Sequence, residues 1–319
     1  MKKSLRIVFM GTPGFAVRIL AELHQSHHSV VGVVTVADKP AGRGQLMHQS
    51  AVKQYALEQQ LPLVQPEKLR DEVFIEQLKE WKADVFVVVA FRMLPDVVWQ
   101  LPPLGTFNLH ASLLPAYRGA APINWALING ETKTGVTTFL INEQIDAGAI
   151  LKQAEVKISP EMNVGELHDQ LQELGATLTL ETCDALAAGQ IQALSQTPIE
   201  GKRALAPKLF KENTVIDWQQ QTTVIHNLIR GLNPYPGAWC KLWSSTKKEW
   251  IQFKIFESEP TPLQCDRKTG PQAHKAGILF PCGDGNLLIH SLQMEGKKRM
   301  DAKSFMAGND LSQFTYSDQ

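Results

Sequence analysis

Apolar and β-branched residues run in short unbroken blocks through the first half of the chain: Leu5-Arg-Ile-Val-Phe-Met10, Val30-Val-Gly-Val-Val-Thr35 and Val85-Phe-Val-Val-Val-Ala90. Blocks of this length without polar alternation belong to strands covered on both faces, as in a parallel sheet. Thr106 to His110 and Gly135 to Leu140 read as further strands. Helical periods lie between them, from Gly14 to about His24 and from Ser50 to Gln59. The alternation predicts an α/β domain with a doubly wound, mostly parallel sheet. Near residue 163 a helix start is marked by Asn163 as cap and Glu166 three residues on. Val164, Leu167, Leu171, Leu174 and Leu178 then hold one apolar face, and this helix is expected to close the first domain. After a stretch from Thr197 to Pro207 rich in Pro, Gly and basic residues, an amphipathic helix spans Thr222 to Leu232. Short strands follow at Ala238 to Trp243, Trp250 to Phe256, Ala276 to Pro281 and Leu287 to Leu292. Their spacing predicts a small OB-like β-barrel. The expected division is 1–203 and 204–319.

Composition narrows the class without choosing a function. A chain of 319 residues exceeds what one core usually organises, and 44% hydrophobic with 20% charged residues excludes disorder as the main state. No apolar stretch reaches the roughly 18 residues that cross a bilayer, and Met1-Lys-Lys lacks an apolar leader, so a cytoplasmic protein is expected. Cys183, Cys240, Cys265 and Cys282 form no C-x-x-C pair and point to free thiols rather than a disulfide framework or zinc site. Net charge is zero, but residues 1–206 carry 18 basic against 21 acidic groups and the remainder 14 against 11. The mildly basic C-terminal part permits a polyanionic partner without demanding one.

Chemistry concentrates in Phe107-Asn-Leu-His-Ala-Ser-Leu-Leu-Pro-Ala-Tyr-Arg-Gly-Ala-Ala-Pro122, which follows a predicted strand. Ligands of open α/β sheets bind at the carboxyl ends of strands. Asn108 and His110, two apart on a strand, project from one face and can converge on one atom. A carboxamide beside an imidazole suits a tetrahedral oxyanion, with the histidine able to move a proton. Taken alone, Asn-x-His is more often a pair of polar strand-end residues serving a loop. Asp146, in a loop ending at Gly148, can orient His110 and raise its basicity, or simply make a turn. Gly11-Thr-Pro-Gly14 enters a helix but is not G-x-G-x-x-G; Pro13 fits the first helical turn. Asp38-Lys-Pro-Ala-Gly-Arg-Gly44 is a surface loop with a binding role open to it.

Asn108, His110, Ser112 to Pro115 and Gly119, followed by Asp146 and Gly148, resemble the paired motifs of the formyltransferase family that uses 10-formyltetrahydrofolate. The resemblance extends through Pro40-Ala-Gly-Arg-Gly44, Gln65-Pro66, Arg118-Gly-Ala-Ala-Pro122, Ala206-Pro-Lys-Leu209, Ile216-Asp-Trp218, Asn233-Pro-Tyr-Pro236 and Gly296-Lys-Lys298. It implies a folate co-substrate, no metal, and catalysis by Asn108, His110 and Asp146. Asn108 would donate to the oxyanion, His110 would stabilise the intermediate and assist protonation of the leaving nitrogen, and Asp146 would position His110 and help remove the amine proton. Ser112, Leu113, Leu114, Pro115, Phe91 and Arg92 would line the folate pocket. Among family members it implies the acceptor initiator methionyl-tRNA, met by Gly11, Thr12, Pro13, Arg43, Lys208, Lys297 and Lys298, and a monomer. The sequence departs at Gly14, where the family often has Asp, and at Phe91-Arg92, where it often has Tyr-Gly. A formyltransferase for an amino-sugar nucleotide and a non-catalytic tRNA- or nucleotide-binding module on the same fold are the alternatives.

Overall fold

A computed structural model describes residues 3–41, 46–201, 203–263 and 270–316. In chain order the first elements are β1 (Arg6–Gly11), α1 (Gly14–Gln25), β2 (Ser29–Val34), β3 (Lys39–Ala41), β4 (Leu46–His48), α2 (Ala51–Glu58), β5 (Leu63–Val64), α3 (Glu72–Glu80), β6 (Val85–Val89), α4 (Asp96–Trp99) and β7 (Thr106–His110). Then come β8 (Arg118–Gly119), α5 (Pro122–Ile128), β9 (Lys133–Leu140), β10 (Ile150–Lys157), α6 (Val164–Ala187), β11 (Leu205–Ala206) and α7 (Thr222–Leu232). The last are β12 (Ala238–Ser244), β13 (Glu249–Thr261), β14 (Gln272–His274), β15 (Gly277–Pro281), β16 (Asn286–Met294), β17 (Met300–Asp301), α8 (Ala302–Gly308) and β18 (Phe314–Thr315).

These elements form two compact units, one of residues 1–119, 133–157 and 168–205, the other of 120–132, 158–167 and 206–319. The first holds a seven-stranded sheet in the order β10-β9-β7-β6-β1-β2-β5, parallel from β7 to β5 and antiparallel at β9 and β10. The apolar runs behave as their composition requires: every residue of β6 is buried. Val8, Met10, Phe86 and Val88 face Phe74 and Leu78 of α3 and Val98 of α4 in one core, while Leu109 meets α6 at Gly175. Asp71 caps α3 by accepting from Phe74 N, and Asn163 and Glu166 close the expected capping box at 3.1 and 2.9 Å. Strand order reverses between β1 and β6, so the crevice beyond their carboxyl ends is the ligand position that this topology offers.

The second unit is an antiparallel sheet, β14-β15-β16-β13-β12-β18, with β17 paired to β16. Register shifts near Glu257 bend β13, and the sheet curls until its edges approach. An added Cβ at Gly270, ahead of β14, would sit 2.9 Å from the carbonyl oxygen of Phe314 in β18. This half-barrel is the expected OB-like architecture. It is filled by Ile225, Ile229 and Leu232 of α7 with Phe253, Phe280, Phe305 and Phe314, each contributing roughly 1.5–3 kcal/mol by burial. Among the described residues, no helix is long and apolar enough to cross a membrane.

The second unit takes in 120–132 and 158–167 together with 206–319. α5 packs against the second core through Ile128, and Gly231 of α7 lies so close that a Cβ would meet Ile128 Cγ1 at 2.7 Å. Asn124 Nδ2 donates to the Gly231 carbonyl at 2.8 Å, and Arg230 donates to the carbonyls of Ser159 and Met162. A chain ended at Arg203 therefore loses the partners of 120–132 and 158–167. Such a fragment should bind a hydrophobic dye and melt below the full chain, at about 2–4 °C per kcal/mol of lost packing. A fragment that melts like the full chain and leaves the dye dark would contradict this.

Candidate active site

β7 ends where the sheet's topology places ligands, and it delivers Asn108 and His110 there. Both strand neighbours hold it, with Asn108 opposite Val88 of β6 and Phe139 of β9. The Asn108 side chain is half-buried and makes no hydrogen bond to the described residues. His110 is 7% exposed, and its Nε2 lies 2.8 Å from the carbonyl oxygen of Tyr117. A carbonyl only accepts, so Nε2 carries the proton and neutral His110 presents a bare Nδ1. Tyr117 reaches this position by adopting φ 59°.

Asp146 Oδ2 stands 3.8 Å from His110 Nδ1, beyond hydrogen-bonding distance. The expected dyad is therefore an electrostatic pair across a gap: a proton arriving on Nδ1 meets a carboxylate, and none is held there beforehand. The loop that holds Asp146 is over-determined. Its Oδ2 accepts from Gly119 N at 2.9 Å, and its backbone sits at φ 51°. Gln196 donates Nε2 to the carbonyls of Asp146 and Gly148 at 3.0 and 2.8 Å, while its Oε1 accepts from Arg118 Nη2 at 2.6 Å. At Gly148 a Cβ would fall 1.6 Å from the Leu140 carbonyl oxygen, so only glycine fits. Gln196 lies fifty residues beyond Asp146 in a polar tail, and its role carries no signal in the sequence.

The Ser112 to Pro115 segment is fixed from β9 and β10. Thr137 Oγ1 donates to the Ser112 carbonyl at 2.6 Å and accepts from Leu114 N at 3.1 Å. Gln153 Nε2 reaches the Leu114 carbonyl at 2.8 Å, and Ser112 Oγ donates to the Ala116 carbonyl. Gly135 leaves room for Leu113, whose Cδ2 an added Cβ would meet at 2.6 Å. Phe91 and Arg92 follow β6 through Ala90 at φ 47°. Arg92 turns onto the protein: its guanidinium donates to the carbonyls of Pro66 and Glu67 and lies over the Phe91 ring. Burial lowers its pKa, and its Nε is buried without a partner.

Gly11 closes β1 against Ala16 and Phe9, and the Thr12 carbonyl accepts from Val52 N. Pro13 is the N-cap of α1 rather than a member of its first turn, with its carbonyl accepting from Ala16 N at 3.0 Å. Arg43 lies outside the described residues. Lys208, Lys297 and Lys298 belong to the second unit, where the Lys208 ammonium lies over the Phe210 ring. The thiols of Cys183, Cys240 and Cys282 are buried, and burial pushes Cys240 up to about 12 and Cys183 higher still, which disfavours the thiolate of both. Cys265 lies outside the described residues. Among the described residues one group has the atoms for a metal, His27 and His28 around Asp184. His28 Nδ1 accepts from Leu5 N at 3.1 Å, so its Nε2 carries a proton for Asp184 and no lone pair for an ion.

The chain matches the family model described as Formyl transferase over residues 5–183 and that described as Formyl transferase, C-terminal domain, over 208–310. The chain belongs to the formyl transferase family. It is 49% identical over 316 residues to the methionyl-tRNA formyltransferase of Bacteroides fragilis, covering 98% of this chain and 97% of that one. It is 50% identical over 314 residues to the one of Flavobacterium psychrophilum, covering 98% of each. In fold it is similar to an N-formyltransferase from Helicobacter canadensis in complex with folinic acid and dTDP-3-aminofucose. There the TM-score is 0.66 at 19% identity, over 93% of this chain and 100% of that one. HypX from Aquifex aeolicus in complex with tetrahydrofolic acid gives 0.62 at 18%, over 95% of this chain and 47% of that one.

Within this formyl transferase Gln196 is the residue whose loss separates geometry from charge. Gln196→Leu strands the carbonyls of Asp146 and Gly148 without touching the side chain of His110 or of Asp146. Turnover should fall about tenfold, on the scale of a misplaced positioning group, with the melting temperature little changed. Wild-type turnover in this variant would show that the loop keeps Asp146 in place without it.

Proposed function

We propose that this chain transfers the formyl group of 10-formyltetrahydrofolate to the α-amino group of initiator methionyl-tRNA. The support is full-length likeness to relatives bearing the methionyl-tRNA formyltransferase name, together with a site suited to acyl transfer. The observation that carries the chemistry is the Asn108 carboxamide, without a hydrogen bond among the described residues, on the strand face it shares with an imidazole of fixed tautomer that faces a carboxylate. The folate co-substrate would meet the Ser112 to Pro115 segment and the loop at Phe91 and Arg92. That co-substrate supplies an activated N-formyl group.

The acceptor amine brings its own nucleophile, so no covalent enzyme intermediate is needed. Asn108 donates its amide N–H to the oxygen that becomes negative as the amine nitrogen bonds to the formyl carbon. His110 Nδ1 takes the proton that the attacking nitrogen sheds. The resulting imidazolium is held by the Tyr117 carbonyl on one nitrogen and by Asp146 across 3.8 Å on the other. His110 then returns the proton to the departing folate nitrogen as the carbon–nitrogen bond breaks, which leaves the formylated amine and tetrahydrofolate. Arg43, Lys208, Lys297 and Lys298 meet RNA phosphates or base edges, so binding should weaken as salt rises.

The decisive assay mixes the purified chain and 10-formyltetrahydrofolate with charged initiator tRNA, an amino-sugar nucleotide or glycinamide ribonucleotide, and follows formyl transfer. Transfer to methionyl-tRNA alone is the expected result, and transfer to the sugar alone would overturn the proposal. Asn108→Ala should slow turnover about 10²–10³-fold, the usual scale for one oxyanion donor. Near-normal turnover would remove Asn108 from the mechanism.

A further inference from the structure

The β3–β4 hairpin of the first unit is flanked by two bonded pairs that the proposed mechanism does not use. Asp38, immediately before β3, receives Lys53 Nζ on one carboxylate oxygen at 2.6 Å and Gln65 Nε2 on the other at 2.9 Å. Lys53 lies in the first turn of α2, beyond β4, so the ion pair joins the chain entering the hairpin to the chain leaving it. The side chains are only 14% and 19% exposed. Below this pair, Thr35 Oγ1 and Ser50 Oγ bond at 2.8 Å, and Thr35 donates onward to the Gly11 carbonyl at 2.7 Å. Ser50 is also the N-cap of α2 through Lys53 N. The hairpin is thus gripped at two levels, and the lower grip rests on the Gly11 carbonyl at the end of β1.

Gln65 carries the network further. Its amide also donates to the Val36 carbonyl at 2.7 Å, and the next two carbonyls, Pro66 and Glu67, are those that receive Arg92. One segment, 65–67, therefore braces the hairpin on one side and the Phe91-Arg92 loop on the other. A largely buried ion pair is weak as a source of stability, because an apolar pair of the same volume serves as well. What it supplies is direction, since a carboxylate with both oxygens occupied fixes where the strand that follows must point. The ion pair and the Gln65 bond also hold the Asp38 carboxyl below the usual carboxylate range.

We infer that Asp38, Lys53 and Gln65 form a clamp that aims the β3–β4 hairpin at the RNA acceptor, making them positioning residues for acceptor selection. The inference rests on the proposed methionyl-tRNA reading. Loss of the clamp should raise the KM for the charged tRNA and leave kcat and the KM for the folate donor almost unchanged, because Asn108, His110 and Asp146 belong to other elements.

The test uses the full chain with Lys53→Met, which keeps the aliphatic stem, Lys53→Arg, which keeps the charge, and Asp38→Asn. Lys53→Met and Asp38→Asn are expected to raise the KM for methionyl-tRNA at least tenfold with kcat and donor KM within twofold. Lys53→Arg should restore most of the loss. Parallel changes in both KM values, or none in either, would overturn the clamp. A second measurement stands apart from the acceptor's identity. Spin labels at the exposed positions Met47 and Val73 should give a narrow distance distribution in the parent chain, a broad one with Lys53→Met and a narrow one with Lys53→Arg. An unchanged distribution would also overturn it. A parent chain that leaves charged tRNA unformylated refutes the acceptor reading alone, and the label distances still decide the clamp.

Discussion

The bond from His110 Nε2 to the Tyr117 carbonyl occupies one ring nitrogen and so decides what the other can do. Had Nε2 been free and Nδ1 protonated toward Asp146, the imidazole would have been an orienting donor with its base elsewhere. Instead the nitrogen that faces Asp146 is the one with the lone pair, and the 3.8 Å gap has space for charge to appear rather than a bond already made. The arrangement suits a histidine that must accept a proton for part of the cycle and release it in the next step. It depends on a backbone carbonyl aimed by an unusual φ at Tyr117, and on β7 being held from both sides.

Rigidity is distributed accordingly. The strand bearing Asn108 and His110 lies inside the sheet, while Asp146 sits on a loop that would wander without Gly119, Gly148 and Gln196. The Ser112 to Pro115 segment is braced from β9 and β10 by Thr137 and Gln153, which the pattern of apolar residues does not mark. Each support uses a backbone group as partner, so the precision of the site comes largely from main-chain geometry. Arg92 follows the same logic. A long cation spends its hydrogen bonds on the carbonyls of Pro66 and Glu67 and becomes part of the frame.

The sequence made visible what hydrophobic period and capping chemistry encode. Thr106–His110 and Thr222–Leu232 coincide with their predicted limits, and the box at Asn163 and Glu166 forms with both of its hydrogen bonds. The shared face of Asn108 and His110 follows from strand alternation alone. Other features were hidden for physical reasons. β10 reads as mixed polar residues because it is an edge strand with one exposed face. The attachment of 120–132 to the second core depends on the contact between Gly231 and Ile128, about a hundred residues apart, which no local pattern carries. Tyr117 acts through its carbonyl, so its side chain advertised nothing, and Pro13 moved by one position because a proline caps a helix as readily as it begins one.

The most direct measurement is a double-mutant cycle on His110 and Asp146, with single-turnover rates for His110→Ala, Asp146→Asn and their combination, and melts showing that all three stay folded. If the proton taken by Nδ1 is what Asp146 stabilises, the carboxylate has nothing to act on once the imidazole is gone. Each single change should then cost at least about a hundredfold, and the combination little more than His110→Ala alone. Losses that multiply would show that the two groups act independently, and the gap between Nδ1 and Oδ2 would not be where the proton goes.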